Sequence, residues 1–210
     1  MSARRTTTHF TALIAFAGLG LFGTAQAQTM AALPGPSSPA VSIGEARPLL
    51  AWTQFCQRYP SECAVQASEP AMIELTSKLW QTIVQVNRKV NTTVEALTDQ
   101  DHWGVADRWD FAEDGFGDCE DFQVLKRRLL AEGGLPRRAM LMTVVVDEKG
   151  EGHAVLMLRT NRGDFILDNK TDTVLPWHQT GYVFVKREGE SQTGWVSLGG
   201  ATSPLATANR

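Results

Sequence analysis

The spacing of apolar residues changes period at Gly133-Gly134, and that change limits the fold more than any other feature of the chain. Upstream, Phe122, Leu125, Leu129 and Leu130 recur at three- and four-residue steps behind a start at Asp118 or Cys119, and the glycine pair is a natural helix stop. A longer stripe, Met72, Leu75, Leu79, Ile83, Val86, Val90 and Val94, predicts a helix of about 25 residues from Pro70 through Leu97. Downstream the runs turn β-branched and alternating. Strands are expected at Met140–Val146, His153–Arg159, Asp164–Leu167 and Tyr182–Lys186, separated by turn-forming segments. Helices followed by an antiparallel meander predict an α+β fold.

The two ends read differently from this body. Arg4 and Arg5 precede an uncharged run from Phe10 to Thr24, and Ala25-Gln26-Ala27 offers a small-x-small cleavage site, the pattern of a secretory signal peptide over residues 1–27. That run is shorter than the roughly 20 apolar residues a membrane span needs. Residues 28–48 are rich in Pro, Gly, Ser and Ala without a period and are expected to be a flexible leader. The domain proper is expected over 49–198 and a loose tail over 199–210. No later segment reads as a membrane span, so the expected location is a bacterial periplasm, where disulfides persist. A formal charge of -3 lacks the basic excess of a nucleic-acid binder.

An oxidising compartment gives the three cysteines different expectations. Cys56 and Cys63 lie in one aromatic segment and are the natural disulfide, although a pairing of either with Cys119 stays open. Cys119 then remains as a thiol at a helix start, where backbone N–H groups and the macrodipole favour a thiolate, while Asp118, Glu120 and Asp121 oppose it. A thiolate nucleophile needs a base and the base an orienting group. His153 opens a predicted strand and Asp168 closes the next, so antiparallel pairing can set Asp168 beside the imidazole. His102 and His178 fall in loops and are expected at the solvated surface.

Val86-Asn87, Asp101 through Trp109 (DHWGVADRW), Gly117-Asp118-Cys119-Glu120-Asp121-Phe122, Lys126, Leu135-Pro136, Gly152-His153-Ala154-Val155-Leu156 and Leu167-Asp168-Asn169 occur in that order. Together they resemble the bacterial transglutaminase-like cysteine peptidases, exported papain-like thiol enzymes, over roughly Trp52 to Trp195. The resemblance implies a papain/transglutaminase-like core with N-terminal helices packed on an antiparallel sheet. It also implies a Cys-His-Asp triad of Cys119, His153 and Asp168 working through a thioester. The backbone N–H of Cys119 is then an oxyanion donor, with Asn87, Trp103 and Trp109 as candidates for a second.

One branch of that family is a calcium-dependent periplasmic protease that clips large adhesins and releases biofilm cells. By that likeness Asp118, Glu120 and Asp121 are candidate calcium ligands, and a regulatory membrane receptor is a partner by analogy. Asp107, Asp110, Glu113, Asp114, Asp118, Glu120 and Asp121 stand against Arg108 alone in this stretch, and a hard cation would relieve their repulsion. The other reading of the same acids is a solvated loop with Asp118 as a helix cap. Three functions follow: a cysteine peptidase acting on a protein or peptide, a transglutaminase or amidase using the same triad, and a non-catalytic binding protein of this fold.

Overall fold

The computed structural model describes residues 32–190 and 194–200. The expected signal peptide, the first residues of the leader and most of the tail lie outside them. The elements, in chain order, are β1 (Gly44–Ala46), α1 (Leu50–Arg58), α2 (Pro60–Cys63), α3 (Ser77–Thr93), β2 (Glu95–Ala96), α4 (Asp99–His102), β3 (Phe116–Gly117) and α5 (Cys119–Glu132). There follow β4 (Met140–Val146), β5 (Gly152–Thr160), β6 (Gly163–Leu167), β7 (Leu175–Pro176), β8 (Val183–Glu188) and β9 (Trp195–Ser197).

Seven strands form one sheet in the order β1-β9-β8-β4-β5-β6-β7, with every named pair antiparallel. The meander is therefore β4 to β7. The chain then returns to the other side of β4 to add β8, and β9 and β1 follow it outward. Alternation along β4 and β5 sends Met140, Met142, Val144, Leu156 and Leu158 to one face, where they join Phe55, Ile83, Val124 and Leu130 of the helices in the main core. Val145, Val155, Met157 and Ile166 point to the opposite face.

That opposite face is covered by the predicted leader. Ala40 packs among Val155, Met157, Ile166 and Phe184, and its backbone N–H donates to Asp164 Oδ2 at 2.8 Å. Ser37 N–H donates to the Arg162 carbonyl at 2.7 Å, Arg162 Nε to the Pro34 carbonyl at 2.7 Å, and Trp177 Nε1 to the Ser38 carbonyl at 2.9 Å. Farther along, β1 pairs with β9. Residues 32–46 are thus docked where the composition alone suggests a free linker, because backbone groups make most of these bonds.

The first long helix is shorter than its stripe predicts. Thr76 caps α3, its side chain accepting from Leu79 N–H at 3.2 Å, and the segment before it is extended. Ile73 exchanges backbone bonds with β5 and the turn after it: its N–H donates to the Arg159 carbonyl and its carbonyl accepts from Asn161. Met72 and Leu75 therefore match the helical period without being helical. At the other end the β-branched Thr92-Thr93-Val94 run leads out of the helix into β2, which pairs in parallel with β3. By contrast α5 begins and ends where its sequence signals lie, with Gly133 as its cap and Gly134 at φ +90°. A disulfide joins Cys56 to Cys63 with Cα atoms 5.5 Å apart, tying α1 to α2. No described helix is long and apolar enough to cross a membrane.

Candidate active site

Cys119 is the first residue of α5, fully buried where that helix meets β5. Gly117 lets the chain turn in: a Cβ there would lie 2.7 Å from Asp121 Cβ. The Cys119 thiol donates to Glu120 Oε2 at 3.1 Å and takes the backbone N–H of Ala154, the residue after His153 in β5. Burial pushes this thiol well above the usual cysteine range, and the Glu120 and Asp118 carboxylates push the same way, while the Ala154 N–H opposes them.

His153 and Asp168 come together as the strand pairing predicts. Leu156 lies opposite Leu167 in the β5–β6 ladder, so Asp168 leaves the end of β6 near Val155, two residues along β5 from His153 and on the same face. His153 Nε2 is 2.9 Å from Asp168 Oδ1, with both side chains buried. An ionised carboxylate only accepts, so Nε2 carries the proton and Nδ1 is the basic nitrogen. Nδ1 is buried and bonds to nothing among the described residues. Burial would raise the Asp168 carboxyl, but the hydrogen bonds from His153 and Tyr182 outweigh it and hold the group below the ordinary aspartate range.

Tyr182 is the neighbour that sequence reading passed over. Its hydroxyl donates to Asp168 Oδ2 at 2.6 Å, and its ring stands edge-on to the imidazole with centroids 5.7 Å apart. Asn87 and Asn91 of α3 secure the loop after Asp168, donating to the carbonyls of Thr171 and Asp172 and of Asp168 and Thr171 respectively. Asn87 Nδ2 is thereby committed to the loop, while the Trp109 ring packs tilted against Trp52 in the core.

The acidic stretch divides. Glu113 and Asp114 face solvent and pair with Arg128 and His102. His102 is accordingly no free surface histidine: Nε2 meets Asp114 Oδ2 at 2.8 Å and the ring stacks on Trp103. His178 is exposed, as expected, with Nδ1 3.2 Å from Ser37 Oγ.

Asp118, Glu120 and Asp121 are all but fully buried, so the reading as a solvated loop does not hold. Asp118 sits at the cap position of α5 but makes no side-chain cap bond. Its Oδ2 instead accepts the N–H of Asp99 at 3.3 Å. Oxygens of Asp99, Asp118 and Glu120 all lie within 4.8 Å of one another. Asp121 is outside that set and accepts the Asp110 N–H at 2.6 Å. Asp99, which joins Asp118 and Glu120 in this cluster, stands on α4, outside the acid-rich stretch from Asp107 to Asp121. Burial raises the Asp118 carboxyl to about 7 and that of Asp107 to about 6, and it lifts Glu120 and Asp121 well above normal. Three convergent carboxylates form a hard, all-oxygen donor set that fits a cation such as calcium far better than zinc.

Residues 43–203 match the sequence model of a family described as bacterial transglutaminase-like cysteine proteinases. Among solved structures, Legionella pneumophila LapG is similar at 21% identity with a TM-score of 0.47, over 75% of this chain and 91% of that one. Its calcium-bound form is similar at 22% identity with a TM-score of 0.45, over 73% and 90%. No curated protein matches. The family match starts just ahead of β1 and runs past β9, taking in each element that carries the site, and by it the chain belongs to the bacterial transglutaminase-like cysteine proteinases.

Proposed function

We propose that the protein is an exported, periplasmic cysteine peptidase that cleaves a periplasmic or cell-surface protein through a Cys119-His153-Asp168 triad. The observation that carries this reading is the buried His153–Asp168 pair, which leaves Nδ1 as the base on the strand that also bonds the Cys119 thiol. The thiol proton passes to His153 Nδ1 as Sγ attacks the scissile carbonyl carbon. The tetrahedral oxyanion is met by the backbone N–H of Cys119 at the start of α5. Collapse breaks the C–N bond, the imidazolium proton leaves with the amine, and a thioester remains. Water activated by the same nitrogen then releases the acid and restores the thiol.

The buried thiol and its acidic neighbours favour the contrary reading of a non-catalytic binding protein. Asp99, Asp118 and Glu120 answer that objection as candidate calcium ligands, with Asp121 beside them holding the Asp110 N–H of the loop between α4 and β3. Calcium bound there supplies positive charge beside the nucleophile, offsetting the carboxylates that oppose the thiolate.

The test is digestion of a peptide library made from a bacterial proteome, read by mass spectrometry of new N-termini. The wild-type protein with calcium should generate them and Cys119→Ala, folded by circular dichroism, should not. Cleavage by Cys119→Ala, or none by wild type, would end the peptidase reading. A primary amine in the same reaction separates hydrolysis from acyl transfer, which would give amide-linked products.

A further inference from the structure

Asp168 is held by more than the histidine it orients. Its Oδ1 accepts from His153 Nε2 at 2.9 Å and from the backbone N–H of Lys170 at 3.1 Å, whereas Oδ2 has the Tyr182 hydroxyl at 2.6 Å. Tyr182 touches both buried partners, because its ring is also set at 77° to the imidazole. Its own backbone is fixed from two sides. Gly181 turns the chain at φ +77°, and Thr180 Oγ accepts the Tyr182 N–H at 3.3 Å just before β8 begins. Lys170, beside the ring at 6.0 Å from its centroid, is ion-paired to Asp147 in the β4–β5 turn, which ties the Asp168 loop to the turn leading into His153.

We propose that Tyr182 is a positioning residue of the active site, acting through Asp168 to keep His153 in the tautomer that leaves Nδ1 basic. The inference rests on reading Cys119, His153 and Asp168 as the triad. A carboxylate torsion is broad and two-fold, so a bond to one oxygen leaves the group able to swing. The phenolic O–H is a charge-assisted donor of the short kind and closes that freedom from the second oxygen. Without it the carboxylate can turn away from Nε2, and the imidazole proton is no longer confined to that nitrogen. The neutral ring then spends part of its time with Nδ1 protonated, in which form it cannot accept the thiol proton. The edge-on ring contact is a separate matter of packing, and phenylalanine preserves it.

The experiment is Tyr182→Phe with two readouts. The first is the nitrogen NMR spectrum of the neutral His153 ring, which reports its tautomer and needs no substrate. The second is kcat and KM on the peptide cleaved fastest in the library above. We expect a single Nε2-protonated form in the wild-type protein and a mixture in the variant. We also expect kcat to fall roughly 10- to 100-fold, the loss of one hydrogen bond to a charged group, with KM unchanged. A variant with one tautomer and wild-type kcat, or a loss confined to KM, would overturn the proposal. Cleavage by Cys119→Ala would instead overturn the triad itself, so the two failures are separate. Tyr182→Ala, which also removes the ring, should be slower than Tyr182→Phe and lower in Tm; equal Tm and kcat for both variants at the wild-type level would likewise count against it.

Discussion

Single side chains here carry charges in places where charge is costly. Lys126 lies two turns along α5 from Cys119, fully buried, and its Nζ makes no hydrogen bond among the described residues. Burial lowers its ammonium from 10.5 to about 7, with Asp168 and Asp172 resisting. The folded value lies below the unfolded one, so between pH 7 and 10.5 the unfolded chain binds more protons and stability rises with pH. Lys126→Met should therefore stabilise the fold most at pH 7 and below, by up to about 5 kcal/mol, with the gain fading toward pH 10.5. Urea unfolding at pH 6.5 and 9.5 checks this, and an equal gain at both would refute it. Asp147 carries a charge that its surroundings favour. Burial pushes it up, but Lys170 and two backbone N–H groups win and bring it down to about 2. Its contribution is present above the unfolded value near 3.8 and is lost as pH falls through about 2, so Asp147→Asn should lower stability at pH 6 and approach wild type near pH 2. Of these residue-scale features, the His153–Asp168 pairing was legible because two strands and a short turn fix the register. Tyr182 and Asp99 were not, since each reaches the site across chain distances that no local pattern encodes.

Elements with many periods were legible and those with few were not. Helix α5 and strand β4 each repeat their pattern enough to define both ends. β1, β2, β3, β7 and β9 are two or three residues long and hold barely one alternation. The Pro70–Thr76 stretch misleads for a different reason: its apolar spacing fits a helix, but its backbone finds partners at the end of β5, so tertiary pairing overrides period. Docking of residues 32–40 runs through carbonyls and N–H groups that any sequence possesses. Gly163 marks it nonetheless. It lies at φ +99°, and an added Cβ would sit 2.4 Å from the Ser37 carbonyl oxygen. Gly163→Ala should lower Tm and expose residues 32–40 to limited proteolysis, with α5 and β4 retaining their hydrogen-exchange protection; an unchanged cleavage pattern would refute it. The Cys56–Cys63 bond closes a short loop, and its removal should cost about 2–3 kcal/mol.

At the scale of the whole molecule, the buried carboxylates set stability against composition. Asp99, Asp118, Glu120 and Asp121 are together inside a domain whose sequence otherwise looks ordinary. If calcium binds Asp99, Asp118 and Glu120 in the folded state alone, a concentration 100 times Kd adds about 2.7 kcal/mol. Tm should rise with added calcium and fall with chelator, and Asp99→Asn should blunt the response; identical melting with and without calcium would remove the metal from the account. The docked N-terminal segment bears on the molecule as a whole in another way. Its contacts reach from the β6–β7 side of the sheet to β9 near the far edge, so one strip of chain fastens strands that are not neighbours. A cut at residue 48 would do more than shorten the protein: Val155, Met157 and Ile166 would lose cover, and the sheet would present an oily flank able to glue one copy to the next.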